Sequence, residues 1–227
     1  MMLKFKTLFL QHTALTRNHL TPEILLRLVT PGCPLWSSRD SPFEDPFWAF
    51  YWPGGQATAR YILDNPLTIK DRRVLDVGSG CGAGAIAAAL VGTKRVLAND
   101  IDPVAVMAIK INAELNNVEV QTDTNNYIGT ECEEFDAILI GDMFYDEDFG
   151  NMLFGWLRDL ASQDKLILVG DPGRHGLTQK RLSQMTLLAQ YKMAPENCEE
   201  NNGFTHTSVW RINKQILWWV FSLLPHG

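Results

Sequence analysis

VLDVGSGCGAG, residues 74–84, is the stretch on which the reading of the fold turns. Its apolar start closes on Asp76 and reads as a short buried strand, which Gly78, Gly80 and Gly82 then break into a tight turn. An alanine-rich segment after Gly82 reads as a helix. Glycines in such a turn let the backbone approach a ligand at the helix N-terminus, where free N–H groups await acceptors. The next apolar segment, KRVLAND, ends at Asp100, 24 residues beyond Asp76. An acid at that spacing commonly accepts hydrogen bonds from the ribose hydroxyls of an adenosine.

The same glycines satisfy the looser dinucleotide fingerprint G-x-G-x-x-G/A, so a nicotinamide cofactor is the rival ligand. Asp76 separates the two. A carboxylate two residues before the first glycine would sit beside the pyrophosphate of a dinucleotide, and like charges at that range repel. S-adenosyl-L-methionine carries no phosphate and offers an amine and a sulfonium instead, so D-x-G-x-G-x-G points to the methyl donor. A nicotinamide-dependent oxidoreductase and a loop of purely structural use are the lesser alternatives.

Outward from this loop, short apolar runs alternate with helix-length segments from Arg72 onward, the pattern of a parallel sheet wrapped by helices. Strands are expected near Arg73–Val77, Arg95–Asn99, Val118–Gln121, Phe135–Ile140, Leu166–Gly170 and Thr205–Ile212. Helices are expected after Gly82, over Pro103–Asn116 with proline at the first helical position, and near Phe149–Leu160 and Thr178–Gln190. The fold class is α/β, doubly wound and mostly parallel. Residues 31–55, PGCPLWSSRDSPFEDPFWAFYWPGG, read as a loop whose six aromatics between Phe43 and Trp52 pack on the domain face.

With 227 residues, 46% of them hydrophobic, and no break in composition, the chain reads as one domain spanning residues 23–212, with a leader at 1–22 and a hydrophobic tail at 213–227. The leader carries Lys4, Lys6 and Arg17, several hydroxyls and no acid, the composition of a mitochondrial transit peptide; an ordinary helix is the other reading. A net charge of -6 disfavours nucleic acid as a partner, because that binding needs clustered cations. The four cysteines lie far apart without metal-ligand spacing, so reduced thiols and no metal are expected. Ile216–Leu224 is the longest apolar run and is too short to span a membrane.

FDAILIGD (135–142) leads into MFYDED (143–148), which puts Asp142, Phe144 and Tyr145 at the carboxyl edge of the sheet, where ligands of open α/β folds bind. A carboxylate, a phenol and an aromatic ring within one turn can receive an amine, the acid by charge and the rings by their faces. A capping aspartate beside a packed tyrosine is the ordinary explanation of D-x-x-Y. Between Lys110 and Arg158 there is no lysine or arginine but eleven acids, a field that attracts a basic partner surface and repels phosphate.

In these motifs the chain resembles the seven-β-strand protein-lysine methyltransferases. The segments that carry the resemblance are LTPEILLRLVTP, FWAFYWPGGQA, VLDVGSGCGAGAIAA, VLANDIDPVA, ILIGDMFYDED, LVGDPGR and TSVW, together covering most of Leu20 to Trp210. The likeness implies a Rossmann-like seven-stranded sheet, with S-adenosyl-L-methionine held by Asp76, Gly78, Gly80, Gly82 and Asp100 and flanked by Trp52. It implies that Asp142 to Tyr145 lie beside the target lysine, with Phe144 and Tyr145 touching substrate. It is strongest toward members that act on the β-subunit of electron transfer flavoprotein, which implies that subunit as partner and the mitochondrial matrix as location, with the cytoplasm as the alternative. After TSVW the chain continues as RINKQILWWVFSLLPHG, a departure from the family expected to leave apolar surface exposed.

Lysine with a pKa near 10.4 is protonated at neutral pH, and presenting it neutral costs about 4–5 kcal/mol. Burial close to a positive sulfur lowers that pKa. Asp142 and Tyr145 are therefore expected to hold and align the amine rather than act as strong bases, so that Asp142→Ala abolishes transfer with little loss of donor binding. A methyltransferase of another protein or a small molecule, and a non-catalytic binding module of the same fold, are the other readings.

Overall fold

The computed structural model describes residues 2–37, 42–194 and 203–214. The chain opens with helix α1 (Met2–His12) and a two-stranded ribbon of β1 (Ala14–Thr16) and β2 (Leu26–Leu28), followed by the short α2 (Pro34–Ser37) and the longer α3 (Pro53–Asp64). Strands and helices then alternate: β3 (Arg73–Val77), α4 (Ala83–Leu90), β4 (Arg95–Asn99), α5 (Pro103–Leu115), β5 (Gln121–Asp123), β6 (Ala137–Gly141), α6 (Glu147–Ser162) and β7 (Leu166–Asp171). The last elements are α7 (Gln179–Leu182), β8 (Met185–Lys192) and β9 (His206–Ile212).

Seven strands line up as β5-β4-β3-β6-β7-β9-β8, parallel as far as β7, with β9 antiparallel between β7 and β8. This is the doubly wound, mostly parallel sheet expected from the sequence. The central strands are buried on both faces, which is why they read as continuous apolar runs. Alternation sorts their side chains: Val74, Ala137, Leu139 and Leu168 join Ile62, Ile86 and Ile109 in one apolar cluster. Leu75, Val77, Ile138, Ile140 and Ile167 meet Leu153 and Leu157 of α6 in the other. From β3 the chain winds outward through β4 to β5 and then returns to β6 on the other side, so a crevice opens beyond the carboxyl ends of β3 and β6.

Three expectations need correction. Thr178–Gln190 is not one helix: α7 ends at Leu182, and residues 185–192 form an edge strand on β9. A bulge between Leu187 and Ala189 breaks the two-residue alternation there, so the apolar spacing mimics a helix. The third parallel strand on that side starts at Gln121, later than the expected Val118–Gln121. The 31–55 loop ends early, because Pro53 opens α3, which the sequence reading did not foresee. Proline and two glycines look like breakers, yet proline is at home in the first helical turn.

Gly54 and Gly55 let α3 lie almost on the sheet. A Cβ on Gly54 would run into the Gly170 carbonyl, and one on Gly170 would meet Gly54 O and Thr58 Oγ1. Phe43 and Trp48 of the aromatic segment pack with Phe5 and Phe9 of α1 in a third cluster, so residues within the leader-like 1–22 are folded onto the domain. Of the expected tail, Asn213 donates to Gln184 O and Lys214 reaches Asp164 at 2.6 Å. Residues 215–227 lie outside the described residues. No helix among the described residues is long and apolar enough to cross a membrane.

Candidate active site

Gly78, Gly80 and Gly82 all have positive φ, +63°, +56° and +86°, so the turn after β3 is open only to glycine without strain. The turn is closed by Gly82 N–H donating to Ser79 O, and Ser79 N–H reaches across to Asn99 O of β4. Gly82 caps α4 and rests on Ile109, which makes it a packing residue of the loop rather than a wall of the crevice.

Asp76 is buried at the end of β3. Its Oδ2 accepts from Ser79 Oγ at 2.6 Å and from Ala85 N–H at 2.9 Å. Burial nevertheless pushes its carboxyl up to about 6, a state that a neighbouring cation would relieve. Asp100, at the end of β4, accepts from Gly80 N–H at 3.0 Å and Asp102 N–H at 3.1 Å, and burial raises its carboxyl too. Trp52, Gly55, Asp76, Gly78, Gly80 and Asp142 border one cleft at the carboxyl ends of β3 and β6. Cys81 also lines it, but burial pushes its thiol up to about 12, which leaves it unreactive.

Across the cleft, Asp142 follows β6 with φ +58° and is 8% exposed. Gly54 N–H and Gly55 N–H, at the start of α3, donate to its Oδ2, the latter at 3.1 Å. Its Oδ1 takes Arg174 Nε at 2.9 Å and Nη2 at 2.7 Å. The charge expected to meet an amine is thus already met by a guanidinium and a helix N-terminus. Burial raises the Asp142 carboxyl while Arg174 and the two amides pull it back.

Arg174 lies over the Trp52 ring at 5.6 Å and the Phe204 ring at 5.5 Å. Its loop is pinned by Asp171, whose Oδ1 accepts from Gly173 N–H and Arg174 N–H, each at 2.7 Å. The other oxygen of Asp171 is buried without a partner, and burial pushes the carboxyl up to about 7.

Tyr145 is half exposed at the rim and stacks on Phe149 with ring centroids 5.2 Å apart. Phe144 corrects the sequence reading. It is fully buried against Phe154, Gly150 and Gly176, so it shapes the turn from below and cannot touch a substrate. Arg174 and Asp171 were missed. Their signal was LVGDPGR, which ends its strand in Gly-Asp just as ILIGD does; Gly141 and Gly170 are register partners, so the two aspartates emerge side by side.

A diphosphate would have to lie against Asp76, a buried carboxylate with no basic side chain bonded to it, whereas an aminoacyl nucleoside brings the cation that carboxylate lacks. The chain is a class I S-adenosylmethionine-dependent methyltransferase. Known proteins narrow this further. It is 47% identical over 210 residues to an electron transfer flavoprotein beta subunit lysine methyltransferase of Xenopus laevis, covering 90% of this chain and 85% of that one. It is 43% identical over 213 residues to the Homo sapiens protein of that name, covering 91% and 81%. The chain belongs to the family of electron transfer flavoprotein beta subunit lysine methyltransferases.

The family model for ribosomal protein L11 methyltransferase (PrmA) also matches, over residues 60–163. Among solved structures, the fold is shared with the ribosomal protein L11 methylase of Lactobacillus delbrueckii subsp. bulgaricus, with a TM-score of 0.52 at 18% identity over 90% of this chain and 100% of that one. It is shared as well with the magnesium protoporphyrin IX methyltransferase of Synechocystis PCC 6803 with bound SAH, with a TM-score of 0.53 at 14% identity over 71% and 84%.

Proposed function

We propose that this chain methylates a lysine ε-amine of the electron transfer flavoprotein β-subunit, with S-adenosyl-L-methionine as donor, in the mitochondrial matrix. The observation that carries the reading is that Gly78, Gly80 and Asp76 on one side and Asp142 and Trp52 on the other border a single cleft. Transfer by in-line displacement needs donor and acceptor held together more than it needs acid or base chemistry. The donor would supply an electrophilic methyl group on a positively charged sulfur.

Asp76 has the buried charge to neutralise the donor's amine, and Asp100, fixed by Gly80 N–H, is placed at the strand end from which a ribose is held. Trp52 gives the cleft an aromatic wall. Tyr145, stacked on Phe149 at the rim, offers an exposed ring to an arriving side chain. Asp142 is a positioning residue, joining the start of α3 to Arg174. The acidic run at Asp146, Glu147 and Asp148 beside this rim suits a basic patch around the target lysine. The acid-free, basic composition of residues 1–22 supports the matrix as compartment.

The test is to incubate the purified protein with donor carrying a labelled methyl group and the purified β-subunit. Label on a β-subunit lysine is the expected result. An unlabelled β-subunit, with another band labelled in a mitochondrial extract, would move the substrate elsewhere. Fractionation of cells expressing the tagged chain distinguishes matrix from cytoplasm.

A further inference from the structure

Every side-chain charge within reach of Asp142 matters to an amine that has to lose its proton before it can react. An aspartate alone at the acceptor edge would hold lysine as ammonium, which has no lone pair to attack with. Here the aspartate is not alone. Arg174 puts two donors on Asp142 Oδ1, at 2.9 and 2.7 Å, with a side chain only 15% exposed between the Trp52 and Phe204 rings. The guanidinium cannot be deprotonated, and its loop is fastened by both backbone N–H bonds to Asp171. The pair is therefore a fixed ion pair of zero net charge on the wall of the cleft.

We propose that Arg174 keeps the target lysine neutral: by cancelling the charge of Asp142, its fixed guanidinium withdraws the anion that would otherwise retain the ammonium form. This rests on the lysine methyltransferase reading and adds to it a residue and a role. The ammonium gives its proton to solvent water, and the freed nitrogen lone pair forms the bond to the methyl carbon as the carbon–sulfur bonding pair stays with sulfur. Arg174 takes no proton and works through the field alone.

Among the described residues, the titratable groups around this point are Asp142 after β6, Asp171 at the end of β7, Asp76 at the end of β3 with Tyr51 and the Cys81 thiol across the cleft, Tyr145 with Asp146 ahead of α6, and His175 next to Arg174 in the chain. From α3 come backbone amides, Trp52 at its start and Thr58, none of them charged, and from the segment before β9 the Phe204 ring. Asp171 titrates in the same range as the effect sought, so the experiment is run both in the native sequence and with Asp171→Asn, whose side-chain oxygen can still accept from Gly173 and Arg174.

The experiment measures methylation rate of the β-subunit against pH for the native enzyme, Arg174→Met and Arg174→Lys, each first checked by thermal melting. Alongside it, calorimetry in buffers of different ionisation enthalpy counts the protons released when the β-subunit binds enzyme saturated with S-adenosylhomocysteine, a readout independent of turnover. In Arg174→Met the acid limb should move up by about one pH unit, roughly a tenfold loss of rate below it, with fewer protons released. Arg174→Lys, which keeps the charge, should stay near the native limb.

A uniform loss at all pH values with unchanged proton release would overturn the proposal and leave Arg174 as a brace. So would a displaced limb in a folded Arg174→Lys, or a shift that vanishes with Asp171→Asn. A native enzyme that fails to methylate the β-subunit would instead sink the substrate reading.

Discussion

The two walls of the cleft are built in opposite ways. On the donor wall, Asp76 bonds to Ser79 and Ala85, three and nine positions away, and the end of the next strand adds Asn99 O to Ser79 N–H and Asp100 to Gly80 N–H. On the acceptor wall, Asp142 bonds to Gly54 and Gly55, 88 and 87 positions away, and to Arg174, 32 positions away. The first wall is a local device that a short peptide pattern encodes. The second exists only once β6, β7 and α3 are docked, so its function and the stability of the fold are the same property.

The hardest blow to that contrast is Gly170→Ala. Its Cβ would meet Gly54 O and Thr58 Oγ1, displacing α3 and the acceptor wall together. A loss of about 3 kcal/mol or more is expected, a drop of roughly ten degrees in thermal unfolding. Gly32→Ala, with nothing within 4 Å of its Cβ, should leave the midpoint in place.

Asp142→Asn comes next and tests whether the acceptor wall also supports the donor. The fixed charge pair is lost, and methylation should fall about a hundredfold, or ~2.7 kcal/mol. Because α3 also borders the donor cleft, donor affinity measured by calorimetry should fall severalfold as well, unlike the clean separation expected from sequence. An unchanged donor affinity would show the two walls to be independent.

Asp100→Ala probes the local wall. Donor binding should weaken roughly tenfold, on the scale of one hydrogen bond to a charged group, with the unfolding midpoint nearly unmoved. A collapse in stability instead would mean that the Gly80 N–H bond holds the loop together.

The last effect, one that depends on pH, is expected at Asp171. Its folded carboxyl titrates at about 7 against an ordinary 3.8, so the folded state binds a proton that the unfolded state has already lost in between. Stability contributed by that proton is therefore present below about pH 4 and drains away as pH rises toward 7. Asp171→Asn removes this slope: its melting temperature should match the native one at pH 4 and exceed it at pH 8. Parallel curves would show that the buried oxygen finds a partner in solution.

Legibility followed the same division. β3, α4, β4 and α5 were readable because central strands are apolar on both faces and the helix-start signals, Gly82 and Asp102-Pro103, act within their own turn. At β8 a bulge on an edge strand erased the period. At α3 the breakers Pro53-Gly54-Gly55 hid a helix whose glycines answer to Gly170 and Gly141, more than eighty positions on. Phe144 reads as a substrate contact because D-x-x-Y says nothing of which way its middle points, and only the packing of α6 turns that ring inward.

By itself the sequence determined the sheet's winding, the glycine turn after β3 and the two acids, Asp76 and Asp100, at the ends of neighbouring strands, since each depends on residues within a strand and a turn of one another. The tertiary structure alone decided what Asp142 does. A carboxylate's role is set by the charges around it, and Arg174 and the start of α3 reach it only when the β6 and β7 edges and α3 come together.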